Sequence, residues 1–193
     1  MTADAALPQS TTPDQQHWIA LLDAYAQAFP DEIGVVGVFR ELASTDANAA
    51  RRERQAGHLT GSAWLVSADG ERVLLTHHRK LDRWLQLGGH ADGDADLARV
   101  ALREAEEESG LPDLEVEPIV FDLDRHRIPA RGDEPEHWHY DVRFVVRARG
   151  SEAFVVGEES HALAWRDVAE IARDDAADVS LRRMARKWLA RRA

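Results

Sequence analysis

The sequence predicts a single α/β domain preceded by a helical segment. Three observations carry this. Apolar residues recur at helical spacing up to Pro30. From His58 onward, short apolar runs alternate with turn residues in the manner of strands. Both kinds of element then mix through a chain of 193 residues, a length that suits one core.

Met1 to Thr12 carries small residues, Pro8 and a Ser-Thr-Thr run, and reads as a loose tail over residues 1–12. Thr12, Pro13 and Asp14 mark a helix start. Trp18, Ile19, Leu22, Tyr25, Ala26 and Phe29 follow at helical spacing, and Pro30 ends the run. A second helix is expected from Ile33 to Leu42, and Ala43–Gln55 reads as a linker or an exposed helix. Residues 13–55 thus form a helical appendage whose open roles are packing, dimerisation or a lid. Residues 56–193 form the main domain. Strands are expected over Ser62–Ser67 and Arg72–Thr76, with Ala68-Asp69-Gly70 as a hairpin turn between them. Trp84–Leu87 continues the series, as do Val116–Arg127 and Glu136–Arg147, with Phe154–Val156 and Leu163–Trp165 as short strands. Asp167 is placed to cap one helix and Ser180 a closing helix through about Arg191.

The informative segment lies between Gly88-Gly89 and Gly110-Leu111. Glu104, Glu107 and Glu108 share one face of a short helix, since positions i, i+3 and i+4 are neighbours there. Leu97, Val100 and Ala101 lie on the same stripe, so a face that begins as core turns acidic in its last turns. Like charges at this spacing destabilise a helix unless something neutralises them. A divalent cation does so, and hard oxygen ligands suit Mg²⁺ or Mn²⁺. The alternative is an acidic, solvated helix face.

These residues resemble the Nudix box, the signature of hydrolases that cleave a nucleoside diphosphate linked to another group. That pattern runs Gly, five residues, Glu, seven residues, then Arg-Glu-apolar-x-Glu-Glu-x-Gly-apolar. Gly89, Arg103, Glu104, Ala105, Glu107, Glu108, Gly110 and Leu111 fall in register. One position departs: Ala95 stands where the family has its first glutamate, the usual partner of the arginine, here Arg103. Asp94 or Asp96 is at hand to replace it, and Asp94 is also placed to cap the helix. The resemblance implies a Nudix-like α/β/α sandwich with a mixed sheet, the box forming a loop–helix–loop. It implies a metal held by Glu104, Glu107, Glu108 and the Gly89 carbonyl. A further acidic ligand from a loop before the last strand would be Glu159, with Glu158 as the substitute. It assigns catalytic roles to Glu107, Glu108 and Arg103.

Composition narrows the alternatives. A net charge of −11 argues against a nucleic-acid surface, because the phosphate backbone requires a positive field. It permits a small anionic substrate, since metal and arginines reverse the field locally. The absence of cysteine excludes disulfides, thiolate metal sites and cysteine nucleophiles. The longest apolar stretch, Ile33–Phe39, is too short to span a bilayer. No signal peptide is visible, so the cytoplasm is the expected compartment.

Outside the box, His137, His139, Asp141 and Arg143 alternate with Trp138, Tyr140, Val142 and Phe144, which puts the polar set on one sheet face. That face either lines a pocket or is the wet side of an edge strand. His139 and Arg143 are its candidates for substrate contact, and histidine metal ligation is the weaker reading because the glutamates already supply a hard site. Arg79, in a basic loop with Lys80 and Arg83, is placed for a distal phosphate. His90 either touches substrate or fills a structural gap. Trp84 is the stacking candidate among six tryptophans, four others lying in core-like segments. The basic closing helix reads as a solvated face. The expected activity is Mg²⁺-dependent hydrolysis of a nucleoside diphosphate derivative such as ADP-ribose or a nucleotide sugar. A triphosphate pyrophosphatase and a non-catalytic nucleotide sensor are the alternatives.

Overall fold

The computed structural model describes residues 11–79, 81–132, 134–157 and 160–192. The expected N-terminal tail falls almost wholly outside them. Helix α1 spans Pro13–Ala28 and opens on a capping box: Thr12 Oγ1 accepts from the Gln15 amide, and Gln15 Oε1 accepts from the Thr12 amide. A single 3₁₀ turn, Pro30–Glu32, leads into α2, Ile33–Thr45. Strands β1 (Gly57–Val66) and β2 (Arg72–His78) form the expected hairpin, with the Gly70 amide bonded to the Ser67 carbonyl in the turn. β3 (Arg83–Leu85) and β4 (Leu87–His90) are separate strands, broken at Gln86 because β3 pairs with β2 and β4 with β1. Helix α3 (Leu97–Ser109) follows, then β5 (Leu114–Ile128), β6 (His137–Ala148), β7 (Ser160–Asp167), α4 (Val168–Arg173) and α5 (Val179–Arg192).

The seven strands make one mixed sheet in the order β3-β2-β1-β6-β5, with β4 pairing β1 and β7 pairing β2. β1 and β6 run parallel at its centre, and the other pairings are antiparallel. Helices cover both faces. On one side α1, α2 and α3 bury Trp18, Leu22, Phe39, Leu97 and Val100 against Leu59, Val142 and Phe144. On the other, α4 and α5 bury Ile171, Leu181, Met184 and Trp188 against Trp64, Val73 and Val145. This is the α/β/α sandwich that the resemblance implies. The N-terminal helices belong to its main core: Trp18, Tyr25, Val36 and Phe39 are all buried there.

Several local expectations are corrected. Residues 151–157 hold no strand; the Val155 amide instead bonds the Ser109 carbonyl beyond the end of α3. Asp96, not Asp94, caps α3 by accepting from the Arg99 amide, while Asp94 accepts from the Asp96 amide and pairs with Arg99. Asp178 rather than Ser180 opens α5, its carboxylate accepting from both the amide and the hydroxyl of Ser180. The linker after α2 turns back on itself and buries Ala49 and Ala50. Among the described residues no helix is long and apolar enough to cross a membrane.

Candidate active site

The site is built where β4 meets the C-terminal half of α3. Gly61 on β1 lets α3 lie close: a Cβ there would sit 2.8 Å from Val100 Cγ1. That packing holds Leu97, Val100, Ala101 and Ala105 against the sheet. Gly110 then ends the helix in a left-handed conformation, φ +64°, which favours glycine.

The acidic face sits against the glycine pair. A Cβ on Gly89 would lie 2.6 Å from Glu104 Cδ, so a larger residue there would push the Glu104 carboxylate out of its present seat. The Gly88 amide donates to Glu108 Oε1 at 2.8 Å. Arg103 donates to Glu104 Oε1 at 2.9 Å and to the His90 carbonyl at 3.1 Å. Arg103 therefore ties the helix to β4, and the loss of the box glutamate at Ala95 leaves it with partners. Glu107 lies exposed on the same stripe. Mg²⁺ binds through one or two carboxylates together with waters and substrate phosphates. Glu104 and Glu108 beside the Gly89 backbone, with Glu107 facing solvent, fit such a hard cation by donor type. Glu159, the expected additional ligand, and its substitute Glu158 lie outside the described residues, as does Lys80.

The Ala95 position is held from the N-terminal helix. The Trp18 indole N–H donates to the Ala95 carbonyl at 2.9 Å. The Gly93 amide bonds the Ala50 carbonyl, and Arg52 pairs with Asp92. The segment before β1 thus braces the loop that leads into α3.

The polar face of β6 differs most from expectation. It is neither a wet edge nor an open pocket. Arg143, expected at the substrate, is only 2% exposed. Its Nε donates to Asp141 at 2.7 Å, and its guanidinium also meets Asp122 at 3.3 Å and Asp124 at 3.4 Å. Three carboxylates occupy its guanidinium, which leaves no free edge for a phosphate, and Arg183 and Lys187 supply the remaining positive charge around Asp122 and Asp124. Asp141 in turn accepts from Thr60, Ser62 and Gln86. Trp84 is half-buried against the α4–α5 core, its ring 5.2 Å from His77, which is a packing position. Arg79 is exposed after β2 and donates to the Ser160 carbonyl at 3.1 Å.

His90 and His139 are half-buried and do come together, joined by His58. Burial, reinforced by the neighbouring histidines, pushes the His58 imidazole down to about 4 and the His139 imidazole to about 2. Both rings are therefore neutral at pH 7. The role of His58 was not readable in the sequence, because its neighbours lie 32 and 81 positions away. Parallel pairing of β1 with β6, in which His58 stands opposite His139, brings them together.

Comparison with solved structures finds the same fold. A NUDIX-family hydrolase from Clostridium perfringens superposes with a TM-score of 0.55 at 22% identity, covering 70% of this chain and 98% of that one. An Ap4A hydrolase from C. elegans gives 0.54 at 16% identity, covering 68% and 95%. The E. coli dihydroneopterin triphosphate pyrophosphohydrolase gives 0.52 at 17% identity, covering 69% and 95%. No curated protein sequence matches the chain significantly. The model of the NUDIX domain matches residues 58–188, which include the glycine pair, the acidic helix and every strand from His58 onward, and the chain belongs to the Nudix hydrolase family.

Proposed function

We propose that the protein hydrolyses the diphosphate linkage of a nucleoside diphosphate derivative in a Mg²⁺-dependent reaction, with ADP-ribose and nucleotide sugars as the first substrate class. The observation that carries this reading is the seating of Glu104 against Gly89 while Glu108 is fixed to the Gly88 amide. Glu104, Glu107, Glu108 and the Gly89 carbonyl would hold the cation, for which Mn²⁺ is an alternative. When bound, the cation supplies charge neutralisation at the diphosphate and a lowered pKa for attacking water. The chain's own residues do the rest. Arg103 keeps Glu104 turned toward β4. Glu107, exposed and on the same face, takes the proton of the attacking water. Arg79, at the surface beside β3, receives the distal phosphate. Charge and positioning supply most of the rate, as is usual when the reacting group is a polyanion.

Two structural neighbours are named for Ap4A and for dihydroneopterin triphosphate, and both compounds carry phosphoanhydride bonds. Triphosphates are therefore the second substrate class. A non-catalytic sensor is disfavoured, because Arg103 keeps its anchoring role without the glutamate replaced at Ala95.

The test is release of monophosphate from a nucleotide panel with and without Mg²⁺. Turnover is expected only with the cation. Glu108→Gln and Glu107→Gln should each lower kcat by at least about 10²-fold, the scale of one acid–base or charge-stabilising group, with Tm unchanged. Nucleotide binding without product would establish the sensor instead.

A further inference from the structure

His58, His90 and His139 form a near-equilateral triangle. Their ring centroids are 5.1 Å apart for His58–His90, 5.0 Å for His58–His139 and 5.1 Å for His90–His139. One ring nitrogen from each lies within 4.8 Å of the others, the one such group of three among the described residues. The three come from three strands, β1, β4 and β6, and face away from α3. Strand β4 thus carries the acidic site on one side, at Gly89, and the histidines on the other, at His90.

Packed imidazoles ordinarily satisfy one another by N–H···N hydrogen bonds. That accounts for part of this cluster: His137 Nδ1 lies 2.9 Å from the Pro135 carbonyl, and its Nε2 lies 3.2 Å from His139 Nε2. It does not account for His58. This side chain is 2% exposed, its Nδ1 points to the Arg54 carbonyl at 3.5 Å, and its Nε2 is buried with no partner. A buried polar atom left unpaired costs free energy that native structures avoid. The Arg54 carbonyl only accepts, so its contact favours the proton on Nδ1, and in that tautomer Nε2 carries a lone pair. This is the arrangement of a metal-bound histidine whose other nitrogen is held by a backbone carbonyl.

We propose that His58, His90 and His139 bind a transition-metal ion of the zinc class, at a site separate from the carboxylate-bound hard cation. Three imidazoles are donors for Zn²⁺, Co²⁺, Ni²⁺ or Cu²⁺ and poor donors for Mg²⁺. Zn–N bonds of about 2.0–2.1 Å in a tetrahedron place the nitrogens roughly 3.3 Å apart. Small rotations of the half-buried His90 and His139 rings toward His58 close that gap. The fourth position is left to water. Bound metal would cross-link β1, β4 and β6 directly beside Gly89 and fix the strand that presents the Gly89 carbonyl.

The test uses untagged full-length protein titrated with Co²⁺ and then Zn²⁺, read by visible d–d absorption and equilibrium dialysis. One equivalent of Co²⁺ should bind with a tetrahedral spectrum, yield to Zn²⁺ and persist in excess Mg²⁺. His139→Asn and His90→Asn should each weaken binding at least tenfold while circular dichroism stays native. His161→Asn, outside the trio and packed on His77 of β2, should bind as wild type. Glu107→Gln should also retain binding, which separates this proposal from the hydrolase reading. Absence of stoichiometric binding, or binding that survives both trio variants, or binding lost with Glu107→Gln, would overturn it.

Discussion

Asp124 shows how single charges are set by what surrounds them. Burial pushes its carboxyl upward. The hydrogen bond from His126 and the Arg143 and Arg183 guanidiniums outweigh that and hold it well below the usual carboxylate range. A carboxyl depressed in the folded state contributes stability that is complete above its unfolded pKa of about 3.9. That contribution is lost as pH falls through this value toward the folded one. Wild-type Tm should therefore drop steeply below about pH 4. Asp124→Asn, lower in Tm at neutral pH, should follow a flatter profile there. Parallel Tm–pH curves for the two proteins would show that Asp124 does not contribute.

Among elements, α1 and α2 stand closest to the site without being part of the box. They bury Trp18, Leu22, Val36 and Phe39 against the same core as Leu97 and Val100 of α3, and Trp18 bonds the Ala95 carbonyl in the loop before α3. Most of their large apolar side chains are buried within the chain, Ile33 excepted, and this supports packing as their role. Removing residues 1–55 should therefore expose the α3 face and give aggregated or non-cooperatively melting protein. A soluble 56–193 fragment with a native melting transition would show the helices to be separable. The milder Trp18→Phe exchange should cost about 1 kcal/mol for the lost hydrogen bond, measured by urea denaturation.

At the scale of the whole molecule, the two ends of the chain are joined around the edge strand β5. Lys187 of α5 pairs with Asp122 at 2.7 Å and with Glu32, between α1 and α2, at 2.7 Å, and reaches the Tyr25 hydroxyl. Arg183 and Arg143 complete the shell around Asp122, which is fully buried. The basic residues of α5 are thus only in part a solvated face. Removing one partner of a buried ion cluster leaves the others uncompensated, at a cost of about 3–5 kcal/mol. Asp122→Asn should lower stability on that scale in denaturant titrations while the m-value stays the same. A change below about 1 kcal/mol would mean that water reaches the cluster.

The sequence by itself determined most of the elements and the shared face of the acidic residues. Helical spacing, the Thr12 cap and the turn at Gly70 are local signals, and Gly89, Glu104 and Glu108 lie within one loop and one helix whose periodicity fixes their common face. Alternation along β6 likewise sorted polar from apolar correctly. What it left open was decided by tertiary structure. Both faces of β6 are covered, so Arg143 became the centre of a buried ion cluster rather than a substrate ligand. His58 joined His90 and His139 only because β1 and β6 lie parallel and adjacent. Periodicity reports which side of a strand a residue occupies. What lies over that side depends on helices and strands distant in sequence, and only packing brings them there.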